Sequence, residues 1–316
     1  MKRTLCILLI LSLLLPFSGC TKKEAPPTHL KLITSFYPIY IMTINITADV
    51  EGVSVSNMAD KTIGCLHDFQ LQTDDVKRIE SSDALIINGA GMESFLDKIT
   101  AERPDLPVID SSVGIDLIEE EDSHHHHDHD GHSHEEHDGD TEDEEHEDVN
   151  PHIWVSISNY IEQVKNIANG IIALDPENRE QYQSNTARYL EQLTSLKSTM
   201  HKDLQTLSSR DIITFHEAFP YFAKEFDLNI AAVIEREPDS EPNAKELSET
   251  ITLVRENSVK ALFVEPQYPK TSADIIAKET DASVYVLDPA VTGSLEKDSY
   301  LKIMQQNLVV LKEALS

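Results

Sequence analysis

Apolar, β-branched runs recur along the chain at intervals that leave room for a helix between most of them. Residues 30–36, 53–56, 84–88 and 106–109 read as four strands of the first half, and 211–215, 230–234, 261–264 and 283–287 as four strands of the second. Stretches of helical periodicity, such as 73–81 and 272–280, lie between them. Strands that alternate with helices form parallel sheets. The expected fold class is therefore α/β, with two Rossmann-like lobes of four parallel strands each.

The middle of the chain is patterned differently. From residue 178 to 207 there is neither Pro nor Gly, and Tyr182, Tyr189, Leu193, Leu196, Met200, Leu204 and Leu207 recur at spacings of three, four or seven. This is one apolar stripe on a single long helix, with Asp175-Pro176 marking its start. At 1.5 Å per residue such a helix spans roughly 45 Å, the length of a two-lobed protein. It is expected to join a first lobe over 29–176 to a second over 208–316, itself occupying 177–207.

Two segments fall outside this pattern. Lys2 and Arg3 precede a short apolar run over 5–15 that Pro16 breaks. The run is too short to cross a bilayer and reads as an export signal over 1–19. Ser18 and Gly19 stand directly before Cys20, and the polar stretch 20–28 that follows reads as a tether. Within 119–149, His124, His125, His126, His127, His129, His132, His134, His137 and His146 are interspersed with Asp, Glu and Gly. Without apolar periodicity this segment cannot bury a core, so a disordered loop is expected.

Charge and cysteine count narrow the function. The formal net charge is −30, which argues against nucleic acid as a partner. Seventeen of the acidic residues fall within 116–148, so the rest of the chain is only moderately acidic. Of three cysteines, Cys6 lies in the signal and Cys20 at its end, leaving Cys65 with no partner for an intrachain disulfide.

The chemistry-bearing residues are histidines. Dense imidazole among carboxylates binds transition metals in many weak arrangements, so the loop reads as an accessory metal collector or sensor. Ordering it around one ion would cost conformational entropy. Three other histidines sit in loops or at strand ends: His67 before a helix, His152 directly after the acidic segment, and His216 just past the strand 211–215. Ligands of parallel α/β sheets bind at the carboxyl ends of strands, and Asp288 follows another strand end. Three imidazoles and one carboxylate make an N₃O set suited to tetrahedral zinc.

Gly64-Cys65-Leu66-His67-Asp68-Phe69, Asn150-Pro151-His152-Ile153-Trp154, the run from Thr214 through His216 to Phe222, and Val264-Glu265-Pro266-Gln267 together resemble the metal-binding solute-binding lipoproteins of ABC transporters, cluster A-I. An acidic, His-rich insert just before Pro-His-Ile-Trp is similar to that of the zinc-specific, ZnuA-like members. The resemblance runs from about residue 30 to the end of the chain. It implies His67 and His152 as ligands from the first lobe and His216 as the ligand from the second, with Asp288 near the position of a variable fourth ligand. Glu265 matches a common family residue and is expected to orient a ligand imidazole. The Cys20 context resembles a lipobox, which implies cleavage before Cys20, acylation, and anchoring on the outer face of a bacterial membrane. Asn150 stands where the family more often has Asp, and Ile157 where Pro or Asp is frequent.

The function this implies is an extracytoplasmic zinc receptor, a monomer that delivers Zn²⁺ to an ABC permease and its ATPase. A manganese receptor or adhesin-type lipoprotein of the same family is the alternative; His216 favours zinc, since manganese members usually place Glu there. A zinc hydrolase is the other class. His216-Glu217 lacks the second histidine of a His-Glu-x-x-His motif, with Pro220 in its place, so no enzyme is expected.

Overall fold

The computed structural model describes residues 29–59, 66, 69–119, 149–234 and 242–316. Cys20, Cys65, His67 and the histidine-rich segment lie outside the described residues. The first sheet comprises β1 (Leu30–Thr34), β2 (Val53–Asn57), β3 (Ala84–Ile87) and β4 (Val108–Asp110), in the order β2-β1-β3-β4 and parallel throughout. The second comprises β5 (Asp211–Thr214), β6 (Asn229–Val233), β7 (Ala261–Val264) and β8 (Ser283–Val286), in the order β6-β5-β7-β8, again parallel. Four parallel strands in each half are as the alternation of strands and helices implied, and the two sheets also repeat one strand order.

Each sequence-predicted strand forms close to its expected place. The fourth begins at Val108 rather than 106, because Pro107 has no N–H to give to a ladder; its carbonyl still accepts the N–H of Leu85 at 3.0 Å. Central β7 is buried along its whole length, which explains its unbroken Ala-Leu-Phe-Val run.

The helices among the described residues are α1 (Tyr37–Ile46), α2 (Thr73–Glu80), α3 (Asp97–Glu102), α4 (Ile157–Leu174), α5 (Arg179–Leu204), α6 (Pro220–Phe226), α7 (Ala244–Glu256), α8 (Thr271–Glu279) and α9 (Ser299–Leu315). The long helix is α5, 26 residues and about 39 Å at 1.5 Å per residue. A 3₁₀ turn at Pro176–Asn178 leads into it, so Pro176 starts the turn rather than the helix. Its stripe of Tyr182, Tyr189, Leu193, Leu196, Met200 and Leu204 is buried and packs on α1, α4 and α9. One apolar cluster runs through this stripe from Phe36, Ile39, Trp154 and Tyr160 of the first half to Phe219, Phe222, Tyr300 and Leu311 of the second. Tyr160 stacks on Tyr300 with ring centroids 3.5 Å apart, and its hydroxyl bonds that of Tyr189 at 2.9 Å. The halves thus share a core rather than meeting across a linker.

Candidate metal centre

In a doubly wound sheet the crevice for ligands opens where the strand order reverses. In the second sheet this lies between β5 and β7. Thr214 pairs with Phe263, so His216 and Glu265, each two residues further on, leave the sheet in step. β8 lies beside β7, and Asp288 follows it at the same end. His152 arrives from the first half, on the segment between the histidine-rich insertion and α4. There Ile153–Val155 form a fully buried 3₁₀ turn.

The two imidazoles meet. His152 Nε2 and His216 Nε2 are 3.2 Å apart, with the rings nearly perpendicular at 84°. Both residues are buried, at 1% and 3% exposure. That separation is a hydrogen-bond distance, so whichever nitrogen carries the proton donates to the other.

The segment carrying His152 is held from several directions. Asn150 Oδ1 accepts the His152 backbone N–H at 3.0 Å and lies 3.1 Å from His152 Nδ1. Asn150 Nδ2 donates to the carbonyl of Glu217, next to His216, at 2.9 Å. Asn88, just past β3, donates from Nδ2 to the Pro151 carbonyl at 2.9 Å. Trp154 Nε1 donates to the carbonyl of Pro289, next to Asp288, at 2.7 Å, and Tyr300 donates to the Trp154 carbonyl at 3.0 Å. Further along, Glu225 of α6 accepts from the Ser156 hydroxyl and from the N–H and hydroxyl of Ser158, and meets His201 of α5 at 3.0 Å.

The carboxyls at the neighbouring strand ends are poor in compensation. Burial pushes Glu265 well above the usual carboxylate range, and the charge of Asp288 pushes it further. Glu265 Oε2 accepts from Gln267 Nε2 at 3.0 Å, while Oε1 is buried with no hydrogen-bond partner among the described residues. Burial likewise raises Asp288, against the Ala290 N–H that donates to its Oδ1 at 2.8 Å. A cation brought to this end of the sheet would relieve both groups, since desolvation penalises an anion that has no counter-charge.

The structure thus brings together His152 and His216, with Glu265 and Asp288 close to each other at neighbouring strand ends. Among the described residues no three His, Cys, Asp or Glu side chains gather tightly enough to hold a metal by themselves. The third expected imidazole, His67, lies outside the described residues.

Residues 32–314 match the family model of the zinc-uptake complex component A, periplasmic, ZnuA. The chain belongs to the ZnuA family. The high-affinity zinc uptake system protein ZnuA of Bacillus subtilis (strain 168) is 32% identical over 294 residues, which cover 90% of this chain and 88% of that one. The zinc-binding lipoprotein AdcA of Streptococcus pneumoniae (strain ATCC BAA-255 / R6) is 27% identical over 304 residues, covering 93% of this chain. The match spans only 58% of the length of AdcA. A crystal structure of ZnuA superposes with a TM-score of 0.74 at 28% identity, covering 91% of this chain and 99% of that one.

Sequence reasoning missed the residues that hold the site. In the sequence Asn150 stands out only as a replacement for Asp, and nothing marks a role for Trp154 or Glu225. One signal was available for Asn150: an Asn two residues before His152 can cap that residue's N–H in an Asx turn. Glu225 left no such trace, because its partners lie 24 to 69 positions away.

Proposed function

We propose that this chain is an extracytoplasmic zinc receptor, a binding protein rather than an enzyme, that hands Zn²⁺ to an ABC permease driven by its ATPase. The observation that carries the reading is the 3.2 Å between His152 Nε2 and His216 Nε2. Two nitrogens at about 2.0–2.1 Å from a zinc ion and at a tetrahedral angle stand about 3.3 Å apart. The pair is therefore already at the edge length of a zinc tetrahedron. His67 completes the imidazole set, Asp288 supplies the fourth ligand, and Glu265 takes an imidazole N–H on its orphaned oxygen. Imidazole nitrogens at this spacing favour zinc over manganese, which prefers carboxylate, carbonyl and water oxygen.

Anchoring through acylated Cys20 holds the monomer at the membrane surface, where a permease is within reach. The histidine-rich segment collects or senses zinc and is dispensable for the tight site. The names of the AdcA and ZnuA relatives agree with zinc as the cargo. The test is metal analysis of the protein lacking residues 123–147. One tightly held zinc per chain, lost in His152→Ala and in His216→Ala, supports the reading. Loss of all tight binding with the segment alone would place zinc elsewhere and overturn it.

A further inference from the structure

We propose that Asn150 is the positioning residue of this site: it sets the tautomer of His152 and aims its Nε2 at His216. The inference rests on His152 being a metal ligand, and it begins from the orientation of one carboxamide. Asn150 Nδ2 donates to the Glu217 carbonyl at 2.9 Å, an oxygen that can only accept. The amide therefore has one orientation, with Oδ1 on the side of His152. Oδ1 in turn can only accept, and it lies 3.0 Å from the His152 N–H and 3.1 Å from Nδ1. Nδ1 must carry a hydrogen to make that contact. A neutral imidazole protonated on Nδ1 keeps its lone pair on Nε2, the atom that stands 3.2 Å from His216 Nε2.

The residue has little room to do anything else. Asn150 is 2% exposed. Its backbone N–H donates to the Ile118 carbonyl at 2.8 Å, and its carbonyl accepts the Tyr221 hydroxyl at 2.7 Å. Tyr221 accepts the Ile118 N–H at 2.9 Å, which closes the ring of contacts. One side chain thus joins the segment of His152 to the residue after His216, so that the two imidazoles keep their spacing. Asp at this position would keep the acceptor for His152 and lose the donor to Glu217. The two functions of the side chain are therefore separable by substitution.

The test uses the full chain, zinc alone as the probe, and fluorescence of Trp154, the one tryptophan, whose ring lies 5.2 Å from that of His152. Chelator competition is expected to give a 10- to 100-fold loss of zinc affinity in Asn150→Ala, the usual effect of removing a group that orients a ligand histidine. Asn150→Asp is expected to fall between the parent and Asn150→Ala, because the acceptor for His152 survives while the donor to Glu217 is lost. Nitrogen-15 NMR of the metal-free protein, at a pH where imidazoles are neutral, is expected to show His152 protonated on Nδ1 in the parent and in Asn150→Asp. A parent His152 protonated on Nε2, an Asn150→Asp as weak as Asn150→Ala, or an Asn150→Ala that binds like the parent would each overturn the proposal. Should Asn150→Ala not fold, the tautomer in the parent and in Asn150→Asp decides. If His152→Ala binds zinc as the parent does, the zinc reading itself fails, while the tautomer measurement still judges Asn150.

Discussion

Glu93 offers a sharp test of how the site's supports are built. Its side chain folds back beneath the loop after β3 and accepts the N–H of Asn88 at 2.7 Å and of Gly89 at 3.0 Å. Asn88 in turn holds the Pro151 carbonyl beside His152. Burial raises the Glu93 carboxyl from its ordinary 4.5 to about 7; the two backbone N–H donors pull the other way, and burial wins. The sign follows from comparing the two states. Below pH 4.5 the carboxyl is protonated both folded and unfolded, and its contribution to stability is whole. Between pH 4.5 and 7 the unfolded chain gives up its proton while the folded protein keeps it, so stability falls as pH rises. Above about 7 both states are ionised and the loss is complete. At about 1.4 kcal/mol per pH unit, the gap amounts to about 3 kcal/mol. Glu265 and Asp288 are also raised by burial and slope the same way, so the measurement is a difference between the parent and Glu93→Gln, which does not titrate. Urea unfolding followed by Trp154 fluorescence, with zinc removed by chelator, gives both stabilities at each pH. The parent is expected to lose about 3 kcal/mol relative to the variant between pH 4.5 and 7. A difference that stays flat would refute the reasoning. A difference that rises with pH would show that the two N–H donors outweigh burial and that Glu93 is an ionised anchor.

Gly89→Ala is expected to cost about 2 kcal/mol or more in unfolding free energy. Its φ is +80°, and a Cβ there would sit 2.0 Å from Asp110 Oδ1; an unchanged denaturation midpoint would contradict this. Glu225→Ala strips the acceptor from Ser156, Ser158 and His201 and is expected to lower stability by about 2–3 kcal/mol, with Glu225→Gln recovering part of it in the same urea assay. Zinc affinity measured by competition is expected to fall as pH drops below about 6.5, because only neutral imidazoles bind the ion; affinity independent of pH between 5 and 8 would exclude a histidine site.

The fold was legible because its signals are local. A strand such as β7 is covered on both faces, so its burial demands an unbroken apolar run, and the run is visible without knowledge of its neighbours. The stripe of α5 is legible for the same reason, since a helix with one buried face must repeat its apolar residues every three or four positions. The site is a matter of which loops meet, and periodicity says nothing about that. His152 and His216 are separated by 64 positions and meet because one segment crosses from the first sheet to the second. Their candidacy was legible from their places at strand ends and in loops, and family resemblance strengthened it, but nothing in the periodicity set their separation. Glu225 was illegible altogether: a Glu near the end of a short helix reads as a solvated charge, whereas its carboxylate is buried against the start of α4.

Several of the supports cross between the halves. Asn150 reaches the Glu217 carbonyl, Trp154 reaches the Pro289 carbonyl, Tyr300 reaches the Trp154 carbonyl, and Ser156 and Ser158 reach Glu225. All of them leave the stretch 150–158, which holds His152. A rigid opening of one half against the other along this seam would break them together. At about 1 kcal/mol net for each of these five hydrogen bonds, that costs about 5 kcal/mol before any of the shared core is exposed. Such an opened form would be present in at most about one molecule in five thousand. A seam held in this way keeps His152 Nε2 and His216 Nε2 at 3.2 Å, so drawing the halves together is not a cost left to any ligand of this pair.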